Sequence, residues 1–245
     1  MHSQSADAGL ATSMVATQRP AAQGSAAHRR GVASGRAARR WFLVAAPVLA
    51  GLFVTIGAVG DPAVGEDGRV LYEAYAANPD PLQFKSVGFH FGYAFWIVPA
   101  ILLAGYVRNR GIWIANVAAF LGWLGISTLP GLLMIDYYDS AIGQVAGVDT
   151  TLRVQEVMET MWGVPVIVTP GIAGFVFALP LAAVAAWRAG LVKWWSPLSV
   201  ICGFLAFTLS GVAPWGTAIT TAFFGVFAYS LWRGTRPDHR VGESG

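Results

Sequence analysis

The chain alternates long apolar runs with short charged segments. The clearest run covers residues 112–135, 24 positions without a charge. As a helix it reaches about 36 Å, more than the about 30 Å of a bilayer core. Arg108 and Arg110 precede it, and Asp136 and Asp139 close it. Further runs at about 41–60, 87–107, 163–187, 194–214 and 217–232 are bounded the same way. The pattern predicts an all-α, polytopic membrane helix bundle of six transmembrane helices filling residues 41–232.

Between the runs, 61–86 and 136–162 are the two long segments. Each holds a stretch with an apolar face, GRVLYEAYAANP and TLRVQEVMETMW. Both read as short amphipathic helices lying on the outer surface, the first stopped by Pro79 and Pro81. A tight turn at 214–216 should separate the last two spans. Residues 1–40 contain six Arg, one acid and one Leu. Such a stretch buries too little apolar area to fold, so it reads as a disordered, arginine-rich cytoplasmic tail. It is no secretory signal, because the 20-residue run that follows exceeds the about 7–15 of a signal core. Residues 233–245 form a second cytoplasmic tail.

Charge orients the bundle. The tails and the segments at 108–111 and 188–193 carry 13 of the 16 Lys and Arg, while the two long segments carry ten of the 13 acids. Bases are retained on the cytoplasmic side, so both termini are expected there, in a bacterial plasma membrane. Only 12% of residues are charged, about half the share in a soluble domain, so the lipid bilayer is the first partner. The net charge of +3 is spread over many segments, and no nucleic-acid partner is expected. Cys202 is the sole cysteine, which excludes an intrachain disulfide and a cysteine-based metal site.

Candidate chemistry is sparse. The six runs hold no Asp, Glu, Lys or Arg, which argues against a proton-driven transporter or ion channel. His90 is the one histidine in a run. With the pairs Asp136/Asp139 and Glu156/Glu159 it suggests an oxygen-rich site for a divalent cation at the outer face; otherwise no cofactor is expected. The alternative is that His90 is an interfacial aromatic and the acids merely solvate their loops. Trp96 and Trp123 lie midway along their runs, with Asn116 nearer the cytoplasmic end. Together with Thr169 and Pro170 they outline a pocket for an apolar small molecule, against plain packing of large aromatics. Pro165, Pro170 and Pro180 share one run, and the last two each remove a helical hydrogen bond.

The Arg-rich tail ending ARRW, the GDP after the first run, the acidic outer segments and the WRAGLVKWWSPL connection give a further pointer. They resemble multi-pass integral membrane proteins of high-GC, actinobacterial type, a group with no assigned activity. The resemblance covers about residues 39–235 and implies the fold alone. The function read from the residues is a non-catalytic binding, sensing or accessory bundle, with a membrane protein or apolar molecule as partner. The alternatives are a carrier for neutral or lipid-like molecules and a metal-dependent membrane enzyme at the outer face.

Overall fold

The computed structural model describes residues 19–236, with side chains from Ser34 onward. Among the described residues there are eight α-helices and no strand. They are α1 (Arg19–Gly60), α2 (Gly68–Ala77), α3 (Pro79–Ala104), α4 (Ile112–Ala146), α5 (Val148–Glu159), α6 (Gly163–Arg188), α7 (Trp195–Leu209) and α8 (Pro214–Gly234). The compact unit described below begins at Phe42. Among the described residues four helices are long and apolar enough to cross a membrane: Ser34–Gly60 of α1, then α3, α4 and α6. The chain is a helical membrane protein.

Small residues let these helices approach closely, as expected where lipid removes the hydrophobic drive for association. At the α4–α6 crossing, a Cβ on Gly174 would stand 2.6 Å from the Gly125 nitrogen. At the α1–α3 crossing, a Cβ on Gly57 would meet the Phe89 nitrogen at 3.0 Å. Hydroxyls add sparse bonds between helices. Thr55 of α1 meets Thr221 of α8 at 3.2 Å, and Thr220 of α8 donates to the Gly203 carbonyl of α7 at 2.9 Å. Ser196 and Ser230 join the same pair of helices at 2.7 Å.

The core is centred on α3. Trp96 is fully enclosed, with ring centroids of Phe224 of α8 at 4.5 Å, Phe175 of α6 at 4.7 Å and Phe207 of α7 at 5.3 Å. Phe204 of α7 adds an edge contact at 6.2 Å. Three helices thus converge on one indole. Truncating such a side chain typically costs about 3–5 kcal/mol.

Several boundaries differ from those the apolar runs predict. Helix α1 starts at Arg19, inside the stretch read as a disordered tail, because Ala and Arg are strong helix formers; residues 1–18 and 237–245 lie outside the described residues. Pro79 and Pro81 end α2 but also open α3, since proline suits the first helical turn. Helix α3 therefore begins eight residues before the predicted run and carries Lys85. Helix α4 continues 11 residues past Ile135. The 214–216 turn is the first turn of α8, again with proline at its start. The reversal sits at 210–213, where Gly211 and Val212 both have positive φ. Helix α7 has 15 residues, about 22 Å, and is shorter than the run that encodes it.

The two amphipathic helices are present as α2 and α5, but they do more than lie on a surface. They pack on the extended C-terminal part of α4. Tyr75, Leu82 and Ala63 form a small core there, separate from the main one.

Candidate functional site

Helix α4 creates the first polar cluster. At 35 residues α4 measures about 52 Å, well beyond a bilayer core. Its surplus turns present Asp136, Asp139, Ser140 and Gly143 at helical spacing toward α2 and α5. Ser140 Oγ donates to the Tyr75 carbonyl at 2.7 Å, and Ala76 sits where a side chain on Gly143 would stand. Gln155 Nε2 donates to Asp139 Oδ1 at 2.7 Å, and Thr151 Oγ1 to the Asp139 carbonyl at 3.3 Å. Asp139 itself is buried.

Lys85 completes this cluster from α3. Its side chain is 10% exposed, and Nζ lies 2.9 Å from Asp136 Oδ2, itself 20% exposed. Nζ also donates to Tyr75 Oη and stands 4.3 Å from the Tyr75 ring centroid. One ammonium therefore ties α2, α3 and α4 together. Burial, followed by the Asp136 charge, raises the Tyr75 phenol far above its ordinary range, so it stays neutral. Burial raises Tyr72 as well, with Asp139 the next cause. Outside this core Arg69 of α2 pairs with Asp149 of α5 and, at 3.7 Å, with Glu73. Both partners of the Arg69–Asp149 bond are exposed.

The residues read from the sequence as a cation site fall into different surroundings. Asp136 is taken by Lys85 and Asp139 by Gln155, while Glu156 and Glu159 are exposed on α5. His90 donates through Nδ1 to the Pro130 carbonyl on α4 at 3.1 Å, with its ring edge-on to Phe91. Among the described residues no three of His, Cys, Asp and Glu come together in a way that holds a metal ion.

The five pocket candidates also differ in exposure. Trp96 points into the core, whereas Trp123 is 58% exposed and stacks on Phe120 at 6.2 Å. Asn116 and Thr169 are exposed and Pro170 is half-buried. Of the two prolines inside α6, Pro170 adjoins Gly171, which packs against Thr128 of α4.

The second polar cluster lies at the opposite end of α4. There the α3–α4 connection, the α6–α7 connection and the last turns of α8 enclose a cleft of about 830 Å³. Arg108, Arg110, Arg188, Lys193 and Arg233 line it, and no carboxylate among the described residues does. Each of these bases was legible as a charge flanking an apolar run. Their meeting was not, because they come from three segments separated by up to 125 residues of chain.

No family model, no curated protein and no solved structure matches this chain.

Proposed function

We propose that this is a six-span protein of the bacterial plasma membrane, with both termini cytoplasmic, that works without catalysis by binding, sensing or supporting a partner. The observation that carries this is Trp96. A carrier needs a path through its centre, and here the centre is filled by one indole and four phenylalanines from three helices. Chemistry at the outer face gains no support, since Asp136 and Asp139 are engaged in docking helices. Six spans require α7 and α8 to cross as a hairpin. The 21 residues of α8 suffice by length, and α7 would cross with its flanking residues or with local thinning of the bilayer. The charge asymmetry supports the orientation.

The test is cysteine accessibility in a chain whose own Cys202 has been replaced by Ser. Cysteine at Glu66 or Val145 reacts with an impermeant thiol reagent in intact cells, and cysteine at Asn109 does not. Cysteine at Ala100 or Ala178, both fully buried, stays unlabelled even by small permeant reagents. Labelling of either buried site would restore the carrier reading.

A further inference from the structure

The basic cleft has a shape and a composition that the orientation of the chain does not explain. Retention of bases on one side of the membrane is satisfied by lysines and arginines anywhere on that surface. Here five of them line one concavity: Arg108 and Arg110 from the α3–α4 connection, Arg188 and Lys193 around the α6–α7 connection, and Arg233 from α8. None of the five is paired with a carboxylate among the described residues. Like charges facing one another across a concave wall repel, and a low-dielectric wall strengthens their field toward an anion.

The backbone holds these segments in place. Gly111, with φ 89°, lies so close to the end of α6 that a Cβ would meet the Ala185 carbonyl at 2.9 Å. Gly234 of α8 abuts the Leu191 carbonyl in the α6–α7 connection, again leaving no room for a side chain. The α6–α7 connection turns through Gly190, φ 74°. The cleft is thus preformed by three fixed chain segments.

The rest of its lining is amphipathic. Tyr106, Trp195 and Tyr229 stand beside Leu191 and Val192, and the Arg233 guanidinium lies 5.8 Å from the Tyr229 ring centroid. Guanidinium groups offer forked donors that match phosphate oxygens, and the aromatic and aliphatic walls accept an apolar body attached to them.

We propose that this cleft binds a phosphate group, carried either on the headgroup of an anionic lipid or on a soluble phosphorylated molecule. Basic pockets between membrane helices are suited to anionic headgroups, and the same donors serve a free phosphate. The inference deepens the binding reading above by naming the ligand's chemistry; the closed core is tested separately by cysteine labelling, so either can fail alone.

The experiment measures thermal unfolding and equilibrium binding of the full chain purified in neutral detergent. One arm titrates inorganic pyrophosphate, and the other dihexanoyl phosphatidic acid with dihexanoyl phosphatidylcholine as control. A stabilising shift from pyrophosphate assigns a soluble source; a shift from phosphatidic acid without one from phosphatidylcholine or pyrophosphate assigns a lipid headgroup. In either case Arg110→Gln with Arg188→Gln weakens binding by about ten-fold or more, as expected for lost charge-assisted hydrogen bonds. Lys193→Gln alone gives a smaller loss in the same direction. Arg236 lies at the same end but outside the cleft, over the Trp232 ring at 3.6 Å. Arg236→Gln therefore leaves affinity within about two-fold, because surface charge alone is screened by salt. No shift in either arm overturns the proposal. So does an Arg236→Gln loss as large as that of the cleft variants, which would mean general surface attraction.

Discussion

Removing the positive charge of Lys85 is the sharpest probe of how the α2–α5 end is held. Lys85→Met keeps the aliphatic stem and volume but leaves the Asp136 carboxylate without its cation. The pair is largely removed from water, with side chains 10% and 20% exposed and an N–O distance of 2.9 Å. Breaking a buried pair from one side costs about 3–5 kcal/mol, and the residual exposure of Asp136 places this case near about 3 kcal/mol. The Tyr75 hydroxyl loses its donor in the same step. Asp136→Leu strands the ammonium instead and costs a similar amount. The double variant, with Met and Leu in contact, returns to within about 1 kcal/mol of the parent, because two apolar groups need no compensation. The coupling in the cycle is therefore about 5 kcal/mol. Reversible unfolding in mixed micelles measures the three losses. Amide exchange locates them: in Lys85→Met it should accelerate first in α2, which the Lys85 ammonium holds through Tyr75. Additive single losses, or a Lys85→Met cost below about 0.5 kcal/mol, would refute the view that this ion pair fastens the end of the bundle.

Two further outcomes follow from placement. Trp96→Ala loses about 3–5 kcal/mol because it empties the centre of the core, while Trp123→Ala, on an exposed face, changes stability by no more than about 0.5 kcal/mol in the same unfolding assay. The Arg69 hydrogen bond, then its charge, holds the Asp149 carboxyl below its ordinary range. A carboxyl lowered in the folded state contributes stability that is complete above the unfolded value near about 3.9 and is lost as pH falls through the lower folded value. Carboxyl chemical shifts of Asp149 should therefore titrate below those of an ordinary Asp, and Arg69→Gln or high salt should restore the normal midpoint.

Charge-free length is a strong signal, and it located the four long helices. In lipid, the backbone must satisfy itself within the helix, so an apolar run of more than 20 residues has few other solutions. The two amphipathic segments were legible for the same reason as in water, since one face of each meets a polar surrounding. Helix ends were less so. A run ends where polarity begins, but a helix ends where its hydrogen bonding does. Asp136 and Asp139 close the apolar run, yet the α4 helix continues because those side chains find Lys85 and Gln155. Lys85 reads as a loop base for the same reason, although it is buried on α3.

Which way a side chain faces within a run was decided only by tertiary structure. Both sides of a membrane helix are apolar, the one toward lipid and the one toward its neighbours, so no periodicity separates Trp96 from Trp123. Packing separated them: Trp96 met Phe175, Phe207 and Phe224 from three other helices, while Trp123 stayed outside with Phe120. The basic cleft has the same history. Its five charges were each fixed by the sequence, one connection at a time. Their convergence required Gly111 to settle against α6 and Gly234 against Leu191, contacts between segments that no local pattern links.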